Sequence, residues 1–82
     1  MGGIMVQESN VQDEMLRVVK KNKALVTVYL NNGLQLKGIV KAFDKFVVLL
    51  DYEEKQQMIY KHSIMMLRPM KRVDLKLNEE VL

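Results

Sequence analysis

The sequence predicts a mainly β fold, a small and strongly bent five-stranded antiparallel barrel with an N-terminal α-helix. Helical spacing of apolar residues occurs once, near the start; after Lys23 the period changes to two, and short apolar runs follow one another to Pro69. The links between the apolar runs are short and carry turn residues, Asn32-Gly33 most clearly. A chain of 82 residues has room for one domain. A domain this small buries only roughly 60–65% of the surface exposed when unfolded. Its thin core would gain from self-association, because the sequence has no cysteine for disulfides or thiolate metal sites and only one histidine. Hydrophobic residues at 49% and charged residues at 28% match a folded domain rather than a disordered one.

Ser9 opens the helix as a cap, with Gln12 three residues on to complete a capping box. Asp13 and Glu14 then fall in the first turn, where the helix dipole favours acids. Val11, Met15, Leu16, Val18 and Val19 share one side, and Arg17, Lys20 and Lys21 form a basic stripe that Lys23 extends. The helix is expected over about 10–21, after a flexible segment 1–9. The first strand alternates Val26, Val28 and Leu30 with Leu25, Thr27 and Tyr29. Asn32-Gly33 turns the chain, because both residues accept positive φ. The returning strand sets Leu34, Leu36 and Val40 against Gln35, Lys37 and Lys41, and Gly38 inside it marks a bend or bulge. Phe43-Asp44-Lys45-Phe46 forms a turn into Val47-Val48-Leu49-Leu50, apolar on both faces and so expected to be doubly buried. Asp51 to Gln56 is a charged turn, Met58-Ile59-Tyr60 a fourth strand, and Ser63 to Leu67 a fifth, stopped by Pro69. Residues 10–69 make up the domain, with strands over about 24–69, and 70–82 a short tail, either frayed or forming a tail helix. For this size the layout fits an Sm-like (SH3-type) barrel. Its two late strands carry few of the charges that blunt a sheet edge, and Met65 and Met66 put apolar side chains on both faces, which suggests edge pairing between copies, or cover by the tail or helix within one subunit.

Net charge is +3, but residues 17–50 hold seven Lys and Arg against Asp44 alone. Such an excess suits a polyanion, although a solvated face that keeps a small protein soluble explains it as well. The longest uncharged stretch, Ala24 to Leu36, is too short and too polar to span a bilayer. The first ten residues lack the basic and apolar regions of a secretory signal, so a cytoplasmic protein is expected. With no Cys and a single His, arrangements of nucleophile and base are nearly exhausted, no glycine-rich phosphate loop is present, and no cofactor is expected.

Tyr29-Leu30-Asn31-Asn32-Gly33, Leu36-Lys37-Gly38, the run from Phe43 to Leu50, and Tyr60-Lys61-His62-Ser63-Ile64 resemble, in that order and spacing, the Hfq family of bacterial Sm-like RNA chaperones. The resemblance runs from about Gln12 to Pro69. It implies a homohexameric ring that binds small regulatory RNAs and messenger RNAs, promotes their annealing, and serves post-transcriptional regulation and the stress response. It implies a proximal face for uridine-rich RNA, with Gln12, Lys45, Phe46, Tyr60, Lys61 and His62 at its positions. A distal face for adenine-rich RNA would use Tyr29, Gly33, Leu34, Leu36 and Gln57. A basic rim would use Arg17, Lys20, Lys21 and Lys23. RNA-processing proteins are implied as further partners. The chain departs from the pattern at Lys45 and Lys37, where members carry Gln, and at Met66, which replaces a small hydroxyl residue of some members.

The residues supply suitable chemistry without the name. A base binder needs a flat apolar face, donors for the base edge and cations for phosphate. Phe46 beside Lys45, and Tyr60 beside Lys61-His62, bring those types together. Neutral His62 can donate and accept a hydrogen bond. Each residue also has a structural reading: Phe43 as core, Tyr29 as a cross-strand packing residue, His62 as an ordinary surface residue, Gly33 and Gly38 as turn and bend. A self-assembling barrel that grips peptides remains the competing class.

Overall fold

The computed structural model describes residues 11–75. The expected cap at Ser9, the segment 1–9 and the end of the tail from 76 lie outside the described residues. Helix α1 spans Val11–Lys21, with Asp13 and Glu14 in its first turn and Lys20 and Lys21 in its last, each sign matched to the dipole. Leu16, Val18 and Val19 are buried, whereas Val11 is exposed. The helix ends in a Schellman-type pair of bonds. Ala24 N–H donates to the Val19 carbonyl (3.0 Å) and Lys23 N–H to the Lys20 carbonyl (3.2 Å). Lys23 takes the left-handed position at φ 52°, where glycine is the usual choice.

Five antiparallel strands follow: β1 Leu25–Leu30, β2 Gln35–Phe43, β3 Val47–Tyr52, β4 Lys55–Tyr60 and β5 Ile64–Pro69. Their order in the sheet is β4-β3-β2-β1-β5, so β4 and β5 are its two edges. The sheet curls around one cluster of Leu16, Val19, Val26, Val28, Val40, Val48, Leu50 and Ile59. Two irregularities help it bend, one at Tyr29/Leu30 against β5 and one at Val40/Ala42 against β3. Gly38 permits close approach: a Cβ there would lie 3.2 Å from the Asp51 carbonyl oxygen and 3.3 Å from Leu50 Cβ.

The sheet and tail differ from the sequence expectation at several places, among them Phe43, which ends β2 instead of opening the turn. In the β1–β2 turn only Gly33 (φ 93°) adopts positive φ, not Asn32. Gly33 N–H donates to the Leu30 carbonyl, and the Asn32 side chain accepts from Leu34 N–H, so one left-handed residue is enough. In β3 only Val48 and Leu50 are buried; Val47 and Leu49 are half-buried, because the helix and the curled sheet supply a second layer on one side only. The charged turn contracts to Glu53-Glu54, since Tyr52 already pairs with Lys55. The tail is tied down through Val73: Met70 N–H donates to the Leu25 carbonyl, and Val73 packs against the core cluster.

Candidate nucleic-acid interface

A short turn presents the first set of residues. Asp44 Oδ1 accepts from Phe46 N–H (2.8 Å) and Val47 N–H (2.9 Å). These two bonds, Phe46 first, hold the Asp44 carboxyl below its ordinary range, with the Lys61 charge adding to them. Locked in this way, the turn leaves the Phe46 side chain 65% exposed. The Phe46 carbonyl accepts from Lys61 N–H (2.8 Å), which fastens the turn to a 3-10 turn over Lys61–Ser63. His62 and Ser63 therefore lie in that turn and not at the start of a strand. The β1–β2 loop holds it from the other side. Asn31 Nδ2 donates to the His62 carbonyl (3.1 Å) and Asn31 N–H to the Ser63 carbonyl (2.9 Å).

Helix, turn and 3-10 turn converge so that Gln12, Lys45, Phe46, Lys61 and His62 line one shallow cleft. Five of the six residues expected for uridine thus meet. Tyr60 stands beside the cleft, exposed, with its ring tilted against His62 at 5.8 Å between centroids. Lys61, expected at the uridine face, is engaged by the helix. Its Nζ donates to Asp13 Oδ1 at 2.7 Å, lies 5.4 Å from the Phe43 ring centroid, and only 11% of its side chain is exposed. It clasps the helix to the sheet, while Phe43 packs against the core. Lys45 supplies the exposed cation, its Nζ 5.8 Å from the Phe46 ring centroid. Asn31 and Asp44 were missed as positioning residues. An Asp two residues before the exposed aromatic is a readable turn signal; the Asn31 bonds cross too much sequence to be read.

The residues expected for adenine fall in two places. Leu36 and Gln57 line a groove with Gln35, Lys37, Tyr52, Glu53 and Lys55. Tyr29, Gly33 and Leu34 lie outside that groove. Leu36 pairs with buried Val28 and packs against the core, whereas Tyr29 points to the opposite face. Arg68, not anticipated from the sequence, lies over the Tyr29 ring with its guanidinium carbon 5.3 Å from the centroid.

On the helix, Arg17, Lys20 and Lys21 line a groove with Ala42 and Phe43. Arg17 is bidentate to Glu14 (3.1 and 2.8 Å), which raises its pKa and answers part of its charge. A second groove on the other side sets Arg17 and Lys21 beside Arg72 and Asp74 of the tail. Arg72 was hidden by the expectation of a frayed tail. Lys23 caps the helix at its exposed end. Among the described residues no group of His, Cys, Asp and Glu could hold a metal, and no helix is long and apolar enough to cross a membrane.

A family model described as Hfq protein matches residues 11–74. The chain belongs to the Hfq family. It is 54% identical over 71 residues to the RNA-binding protein Hfq of Ruminiclostridium cellulolyticum, covering 87% of this chain and 89% of that protein. It is 52% identical over 71 residues to the RNA-binding protein Hfq of Oceanobacillus iheyensis, covering 87% and 96%. Among solved structures it superposes on a pleiotropic translational regulator, Hfq, with a TM-score of 0.69 and 44% identity over 72% of this chain and 98% of the other. An Hfq protein from Anabaena sp. gives a TM-score of 0.65 at 28% identity, over 71% and 93%. The fold is therefore Sm-like, and the family is one of RNA-binding proteins rather than enzymes.

Proposed function

We propose that this member of the Hfq family is a cytoplasmic RNA chaperone, working as a homohexameric ring that binds small regulatory RNAs and messenger RNAs and promotes their annealing. The observation that carries this reading is the cleft in which Phe46, His62, Lys45 and Gln12 converge from three separate elements. A uridine stacks on exposed Phe46, the His62 imidazole and the Gln12 amide meet its edge, and Lys45 approaches the phosphate. Lys61 keeps the helix in register with the cleft through Asp13. One stacked base is worth about 1–3 kcal/mol, so a single cleft binds weakly. Copies on a ring turn the later contacts into intramolecular ones, and avidity follows.

The sheet edges support the ring. Met58, Tyr60 and Met65 on β4 and β5 are exposed at 59%, 53% and 67%. Met15, Leu16, Ile64, Met65 and Leu67 line an apolar groove beside β5 that suits the β4 edge of a neighbour. Adenine-rich RNA crosses the opposite face over Tyr29, Gly33 and Leu34, and extends to Leu36 and Gln57 at the end of the barrel. Arg17, Lys20, Lys21 and Lys23 neutralise phosphates at the rim and favour duplex formation.

Titration of labelled oligo-U, oligo-A and oligo-C, with native mass spectrometry of the free protein, tests the proposal. The expected result is a hexamer that prefers oligo-U and oligo-A over oligo-C. A monomer, or equal and salt-abolished affinity for all three, refutes it and favours a peptide-gripping module.

A further inference from the structure

Strand pairing stacks two rows of side chains on the sheet face that carries Tyr29. One row is Gln35–Tyr29–Met66, and the next is Lys37–Thr27–Arg68. Cross-strand partners point to the same side, so the six residues form one platform, with Thr27 and Tyr29 half-buried at its centre and the other four exposed. Arg68 leans from its own row onto the Tyr29 ring, 5.3 Å from the centroid. Neither Lys37 nor Arg68 forms an ion pair among the described residues. Their strands flank β1, so their backbones are roughly 10 Å apart at about 4.8 Å per strand, a gap that two long side chains can close from both sides. The Arg68 guanidinium, engaged by no carboxylate among the described residues, has N–H groups to offer an anion.

We propose that Lys37 and Arg68 form a two-cation phosphate clamp for single-stranded RNA whose base stacks at Tyr29. The inference rests on the reading of this face as an RNA site. It adds that the clamp sets how strongly the face grips. Met66 widens the apolar platform beside Tyr29. Lys37 and Arg68 approach the same backbone phosphates from opposite sides, and the base lies over the ring between Gln35 and Met66. Grip on this face then depends steeply on salt and only loosely on the exact purine.

The test is fluorescence anisotropy of labelled oligo-A and oligo-U over a salt series, with the full-length protein and its Lys37→Gln, Arg68→Ala, double and Tyr29→Ala variants. The substituted cations are exposed, and thermal melts confirm that each variant folds. For every protomer that the oligo-A contacts, each single substitution lowers the log–log salt slope by roughly 0.7 and the double substitution by roughly 1.4, while the oligo-U slope stays as it was. Tyr29→Ala weakens oligo-A at every salt concentration and leaves its slope unchanged. An unaltered oligo-A slope in both single variants overturns the clamp. So does tighter oligo-A binding by Arg68→Ala, which would mean that the guanidinium merely covers the ring. If the unsubstituted protein fails to prefer oligo-A over oligo-C, the reading of the face fails instead, and the two failures are told apart.

Discussion

The cleft at Phe46 and the basic stripe on α1 differ in how they are built. The cleft draws on residues far apart in sequence and is held by directed bonds: two from the Asp44 carboxylate, two from Asn31, one between Lys61 and Phe46. The stripe needs only the helical repeat, and its cations project into solvent with one bidentate pair among them. A pre-organised aromatic pocket gives discrimination between bases, whereas an exposed row of cations gives attraction without choice. The two regions should therefore fail in different ways when altered.

Phe46→Ala should break the cleft outright. Oligo-U affinity should fall by about 1–3 kcal/mol per stacked base, while oligo-A affinity and the melting temperature hold, because the ring is largely exposed. A matching loss for oligo-A would mean that the two faces are not separate.

Lys23→Gly acts on the stripe from the structural side. It relieves a left-handed lysine at the helix end, so stability should rise by about 1 kcal/mol in urea unfolding even as a rim charge is lost.

Lys20→Ala and Lys21→Ala should each lower the salt slope of RNA binding by roughly 0.7 for every protomer the RNA contacts, which is about two- to threefold in affinity per contact across a fourfold change in salt. Arg17→Ala should do less, since Glu14 already engages that guanidinium. Equal effects of all three on oligo-U, oligo-A and oligo-C would mark the stripe as indifferent to sequence.

The smallest effect concerns acid. The Asp44 carboxyl is held below its ordinary value in the folded chain. Its contribution to stability is thus complete above the unfolded value of about 3.9 and fades as pH falls through the lower folded value. Thermal melts should show this fading in the native chain and lose that component in Asp44→Asn.

Elements with a strong local signal were legible in the sequence. Helical spacing gave α1 almost residue for residue, and alternation, apolar runs and turn residues marked out five successive strands. Local runs placed Lys45 beside Phe46 and Tyr60 beside Lys61 and His62, whereas Gln12 joined them only through the family resemblance. What escaped depends on long-range pairing. The Asp13–Lys61 clasp joins residues 48 apart, and its cost in burying an ammonium leaves no trace in composition. Leu36 belongs with the core by register, although it sits two residues from exposed Leu34. Arg68 and Arg72 acquire meaning only once β5 lies beside β1 and Val73 has docked.

Gly33 adds a last consequence. Its backbone sits at φ 93°, yet a Cβ there would find nothing within 4 Å. The requirement at the loop tip is thus one of handedness, not of room. A mirror-image alanine introduced by chemical synthesis should keep the hairpin shape, whereas the ordinary enantiomer should twist it.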